Sequence, residues 1–152
     1  MKFLELKLHP PVVLCITLLS TYLCNRYFSV ALIPEAFQDS YVYVATVGVF
    51  IAITGVWQFR QAKTTLDPHK PHNTNHLVST GIYGFTRNPM YLGMALVLLA
   101  AILKLGDLLG LVNLPIFVLY LTYFQVKPEE RAIEKRFGEE YNRYKSKVRR
   151  WL

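Results

Sequence analysis

Four apolar blocks, each close to the length of a bilayer-crossing helix, dominate this sequence of 152 residues. They cover residues 12–30, 41–60, 89–105 and 108–126. A hydrocarbon core of roughly 30 Å takes about 17 to 25 residues of helix. The first, second and fourth blocks reach that length comfortably, and the third is short. In lipid a segment must satisfy its backbone hydrogen bonds internally, so blocks of this kind fold as helices. A mean hydropathy of +0.25 and 53% hydrophobic residues agree with that reading. The expected fold is an all-α membrane protein with about four transmembrane helices in a single domain over 1–152.

Charge predicts the orientation. Lys2 and Lys7 precede the first block, and Arg60, Lys63, Lys70 and Arg87 lie between the second and third. After the fourth block come Lys127, Arg131, Lys135, Arg136, Arg143, Lys145, Lys147, Arg149 and Arg150. The other connections hold acids (Glu35, Asp39, Asp107), with Lys104 as the exception. Basic residues gather on the cytoplasmic side, so both termini and the long middle loop are expected there. The net charge of +7 is then a topology signal. With no soluble basic module to carry it, no nucleic-acid partner is expected.

Local signals place the elements. Lys2 resembles the basic start of a signal peptide, but Glu5, His9, Pro10 and Pro11 fit one poorly and no small-residue cleavage site follows. The segment reads instead as an interfacial lead into the first helix. Cys15 and Cys24 lie on opposite faces of that helix, which excludes a mutual disulfide and leaves packing thiols. Arg26 near its end can snorkel to headgroups. Gly48 and Gly55 give the second helix a small-residue face for close helix contact, and Trp57, Phe59 and Arg60 anchor its end. Asn88 is a candidate cap and Pro89 a favoured first residue for the third helix. The turn Leu105-Gly106-Asp107 makes helices three and four an antiparallel hairpin, and Pro115 is expected to kink the fourth. Beyond Pro128 the residues Ile133, Phe137, Tyr141, Tyr144 and Val148 recur three and four apart, interrupted at Gly138. That stripe predicts a cytoplasmic amphipathic C-terminal helix lying on the membrane or over a site.

Two motifs carry chemistry: G-I-Y-G-F-T-R-N-P-M-Y-L-G over 81–93 and P-E-E-R over 128–131. Taken singly, the first is a helix cap with an interfacial arginine, and the second is two acids favoured in a helix's first turn. Both fall at the cytoplasmic ends of one hairpin, so they are expected to meet. Together they offer backbone N–H groups and Arg87 for an anion, carboxylates for an ammonium or ribose hydroxyls, and aromatic rings for a flat base or an onium centre. A zwitterionic nucleoside cofactor uses all of these. His69, His72 and His76 are irregularly spaced and lack partner cysteines, so no metal is expected. No nucleophile elbow surrounds Ser79.

The ordered pattern L-V-x-x-G-I-Y-x-x-x-R-N-P-M-Y-L-G, then E-E, then F-G-E-E-Y-x-x-Y-x-x-x-V-x-R-W resembles the isoprenylcysteine carboxyl methyltransferase family and its phospholipid methyltransferase relatives. The resemblance spans residues 66–151. It implies S-adenosylmethionine as methyl donor, bound on the cytoplasmic side, and a lipophilic acceptor arriving from the bilayer. Carried over residue by residue, it implies cofactor contacts at Asn75, His76, Leu77, Val78, Tyr83, Asn88, Pro89, Met90, Tyr91 and Glu129. Arg87 and Glu130 become the catalytic candidates, Arg87 orienting an anionic group and Glu130 serving as base where the acceptor needs one. The cofactor region then covers 64–93 and 125–151.

Asn88 stands where eukaryotic members have His, a form similar to bacterial members, which implies a bacterial inner membrane. Gln125, a candidate for substrate binding, stands where the family has an Arg that positions an acceptor carboxylate. The expected reaction is methyl transfer to a lipophilic acceptor, O-methylation favoured. The alternatives are phospholipid N-methylation, an NADPH-dependent membrane reductase of similar pattern, and a non-catalytic membrane subunit. The acidic pair disfavours the phosphate-rich NADPH.

Overall fold

A computed structural model describes residues 5–28, 33–62 and 77–152. Each apolar block becomes helical. α1 runs over Pro10–Phe28, the short α2 over Glu35–Gln38, α3 over Tyr41–Gln61, and α4 over Pro89–Leu105. A 3-10 turn, Leu108–Val112, leads into α5 at Asn113–Leu121, and a wide π turn over Thr122–Val126 joins it to α6 at Lys127–Phe137. After Gly138 comes α7, Glu139–Lys147. No strand forms among the described residues.

α4 is the hub. Leu98 and Ile102 on it are fully enclosed, against Phe117, Leu121 and Val126 of the fourth block and Val13 of α1. Its other face meets α3 through glycine. A β-carbon placed on Gly93 would lie 2.5 Å from the Gly48 carbonyl oxygen and 2.7 Å from the Ala52 β-carbon. One on Gly48 would lie 2.8 Å from that of Leu96. Backbones this close tolerate no side chain, as expected of a small-residue helix face.

The outward faces are apolar. Ile16, Leu19, Tyr43, Phe50, Ile53, Ile116 and Leu119 are all exposed. Among the described residues two helical runs are long and apolar enough to cross a membrane: Glu35–Gln61, whose apolar window is only 11% buried, and Leu108–Phe137, whose window is 33% buried. The core helix of a soluble protein would be mostly buried, so these faces suit lipid. Of the four expected spans these two have full length, while α4 has 17 residues and α1 carries Asn25 and Arg26 in its last turns. The fold is all-α and compatible with a membrane.

Four local expectations are revised. Cys15 is exposed on the outward face of α1, not packed inside. Pro115 does not interrupt a helix, because α5 starts at Asn113 and its first turn has no N–H partner to lose. Asn88 makes no capping hydrogen bond with its side chain, and α4 closes through the backbone, Leu92 N donating to the Asn88 carbonyl at 2.9 Å. The amphipathic C-terminal stretch is two helices, broken where Gly138 adopts φ 50°. That break folds the stripe on itself, so Tyr141, Tyr144 and Val148 pack with Ile133, Phe137 and Leu77. The hairpin turn is as expected, with Gly106 at φ 72° ending α4 and the Asp107 carboxylate accepting from Leu109 N at 3.0 Å.

Candidate cofactor site

The two remote motifs meet where α4 begins and α6 leaves the apolar stretch that ends at Val126. Pro89 fixes the start of α4, and Tyr91 then points its hydroxyl to the Glu129 Oε1 at 2.7 Å. Gln125, one turn before Glu129, donates its Nε2 to the same oxygen at 2.7 Å. Gln125 lies within the π turn and Glu129 in the first turn of α6 that follows it. Among the described residues no hydrogen bond to Glu129 Oε2 accompanies the two to Oε1. Burial pushes the Glu129 carboxyl up to about 7, and the bonds from Tyr91 and Gln125 oppose that rise in part. The acid is half-buried and its Oε1 is held in place by two hydrogen bonds.

Arg87 and Glu130 form a second pair beside it. The Arg87 Nη2 lies 3.1 Å from Glu130 Oε1, with only 8% and 13% of the two side chains exposed. Arg150, from the segment after α7, reaches the same carboxylate with two bonds, Nε to Oε1 at 3.0 Å and Nη2 to Oε2 at 2.7 Å. That bidentate bond raises the Arg150 guanidinium pKa. Glu130 thus keeps one lone pair, on Oε2, that no guanidinium occupies. Arg87 donates Nη1 to the Tyr141 hydroxyl at 3.3 Å, and its Nε is buried without a partner. Two guanidiniums share one carboxylate, so the cluster carries a net positive charge next to Glu129.

Asn88 joins the same group through Arg150, donating Nδ2 to the Arg150 carbonyl at 2.9 Å. Tyr83 is buried behind it in the 3-10 turn Gly81–Gly84, where its hydroxyl donates to the Gly55 carbonyl at 3.3 Å and its own carbonyl accepts from the Tyr144 hydroxyl at 2.7 Å. Burial holds the Tyr83 phenol well above its ordinary range. Pro89 is buried and Met90 packs against the main core, so both shape the wall. Leu77 packs on Tyr141 and Tyr144, while Val78 is half-buried. An open cleft of about 460 Å³ lies between Leu77, Ser79 and the α7 side chains Glu140, Arg143 and Tyr144. Asn75 and His76 lie outside the described residues, as do His69 and His72. Among the described residues no group of His, Cys, Asp and Glu could hold a metal ion.

In the sequence Arg150 marks only the basic tail and Tyr141 and Tyr144 only the apolar stripe, and none of these or Trp151 stands out as a site residue. Arg150 and Trp151 stand in the R-W pair that closes the recognised pattern. Their contacts with Asn88 and Thr122 span 62 and 29 residues, beyond the reach of any local pattern.

The model of the phospholipid methyltransferase family matches residues 41–140, about two thirds of the chain, a range that stops short of Tyr141, Tyr144, Arg150 and Trp151. The chain belongs to the phospholipid methyltransferase family. It is also 27% identical over 130 residues to a protein-S-isoprenylcysteine O-methyltransferase of Schizosaccharomyces pombe, a match covering 82% of this chain and 54% of that protein. The chain therefore spans about half the length of this relative. An uncharacterized protein of Haemophilus influenzae is 51% identical over 63 residues, which is 41% of this chain and all of that protein. No solved structure matches. The matched range includes Arg87, Asn88, Tyr91, Gln125, Glu129 and Glu130.

Proposed function

We propose that the chain is a membrane methyltransferase that uses S-adenosylmethionine to methylate a lipophilic acceptor, O-methylation favoured. The observation that carries the proposal is Glu129, whose Oε1 accepts from Gln125 and from Tyr91, a residue in the first turn of the helix that Asn88 precedes. The donor set fits the cofactor. A carboxylate suits an ammonium or ribose hydroxyls, the Asn88 amide adds a hydrogen-bonding group, and the buried Tyr83 and Pro89 give apolar surface. Glu129, Asn88, Tyr83, Pro89, Met90, Tyr91, Leu77 and Val78 would hold the cofactor, with Asn75 and His76 completing the set from outside the described residues. When bound, the cofactor supplies an activated methyl on a sulfonium.

The protein's own part is placement. Orientation of reactants at near-contact distance accounts for much of the rate in such transfers. The positive charge that Arg87 and Arg150 bring to the site favours an anionic acceptor. A carboxylate acceptor needs no base, and this agrees with a Glu130 so heavily engaged by arginines. Gln125, bonded to Glu129, is the residue proposed to contact the acceptor. The exposed apolar faces of α3 and α5 offer the acceptor a path from lipid. The proposed setting is a bacterial inner membrane with both termini cytoplasmic. The second reading, methylation of a phospholipid amine, draws on the family's name. It requires a proton to leave the amine, and Glu130 Oε2 is the base it would use.

Thermal stabilisation of the detergent-purified protein tests the cofactor. A ligand that binds only the folded state raises the apparent Tm. S-adenosylhomocysteine and S-adenosylmethionine are expected to stabilise the protein, Glu129→Ala to abolish the effect and Asn88→Ala to reduce it. Stabilisation by NADPH alone refutes the assignment.

A further inference from the structure

We infer that residues 148–151 form a strap that fixes the orientation of the Asn88 amide, so that Asn88 offers the cofactor its carbonyl oxygen and recognises a hydrogen-bond donor. The inference rests on the cofactor reading above and adds which atom of Asn88 does the reading and what sets it.

Each residue of the strap is anchored. Val148 is buried with Tyr141 and Tyr144. The Arg149 carbonyl accepts from Arg87 N at 3.1 Å. The Arg150 guanidinium grips Glu130, and its carbonyl accepts from Asn88 Nδ2 at 2.9 Å and from the Thr86 hydroxyl at 3.3 Å. The Trp151 indole N–H donates to Thr122 Oγ1 at 3.1 Å, at the start of the π turn that leads to Glu129. The strap thus ties the first motif to the second along its whole length.

Its consequence for Asn88 follows from hydrogen-bond chemistry. A backbone carbonyl only accepts, so the amide must present its NH2 to Arg150. A flipped amide would set two oxygens against each other at 2.9 Å. Asn88 Oδ1 is therefore turned away from the strap, and no group among the described residues donates to it. An acceptor held in this way suits an amine N–H or a hydroxyl of the cofactor and rejects a second acceptor there. Asn88 is the binding residue, and Arg150 and Trp151 are positioning residues that act through it.

Titration of S-adenosylhomocysteine into the detergent-purified protein tests this. Asn88→Asp is nearly isosteric but puts an acceptor against the Arg150 carbonyl, and it is expected to weaken binding at least about tenfold. Trp151→Phe removes the indole N–H together with part of the ring, and the near-isosteric Thr122→Val removes the hydroxyl that accepts from it. Each is expected to weaken binding about fivefold, as loss of one hydrogen bond does. The deciding readout is coupling: in an Asn88→Ala background, Trp151→Phe should change the Kd by less than about twofold. A merely structural tail would give the same fold-change in both backgrounds. That additive result, or full affinity in Asn88→Asp, overturns the inference while the cofactor reading stands. Absence of binding to the wild-type protein overturns the cofactor reading and the inference with it.

Discussion

Glu129 is the central residue of the proposed cofactor site, and its environment makes a pH prediction. Its ordinary value of 4.5 is raised to about 7, chiefly by burial. In the free protein the proton is held more tightly folded than unfolded, so stability falls as pH rises from about 4.5 through 7. An ammonium on the cofactor reverses the preference by pairing with the carboxylate. Affinity for S-adenosylhomocysteine should therefore strengthen about tenfold per unit as pH rises below 7 and level off above it. Titrations across this range are expected to show that rise in the wild type and a flat profile in Glu129→Gln. A flat profile in both would remove Glu129 from the ammonium. Residue identities at the site were largely readable in the sequence, because R-N-P-M-Y and E-E are local patterns. Their partners were not. Asn88 looked like a cap because Asn before Pro usually is one, and only the approach of Arg150 shows where its amide goes.

Among the elements, the contact between α3 and α4 and the break at Gly138 set the site's shape. Gly93 sits against the Gly48 carbonyl with no room for a β-carbon. Gly93→Val should force the helices apart and cost about 1–3 kcal/mol, as overpacking does. A measured Tm in detergent equal to wild type would contradict the close contact. Gly138 is a different case, since nothing crowds its β position and its positive φ is the whole constraint. Gly138→Ala is expected to cost about 1 kcal/mol through backbone strain. Helix limits were legible to within a residue or two: 41–60 was expected against Tyr41–Gln61, and 89–105 against Pro89–Leu105. Less legible was the fourth block, because apolar composition cannot distinguish an α from a π turn. Thr122–Val126 widens the helix just where Gln125 and Glu129 must face Tyr91.

For the whole molecule, the exposed apolar faces of α1, α3 and α5 surround a buried α4 and leave the charged site at one end. Such a surface demands lipid. The protein expressed in cells should stay in the membrane pellet through alkaline carbonate extraction and need detergent for release. Recovery in the aqueous supernatant would contradict the membrane reading. The central claim is that the R-N-P and E-E segments together hold one adenosyl cofactor. Its most direct measurement is an equilibrium titration of S-adenosylhomocysteine into the detergent-purified protein and into Asn88→Ala and Glu129→Ala variants. The account predicts one molecule bound per chain, weakened by the first substitution and lost with the second. No binding to the wild type, or binding that neither substitution changes, would contradict it.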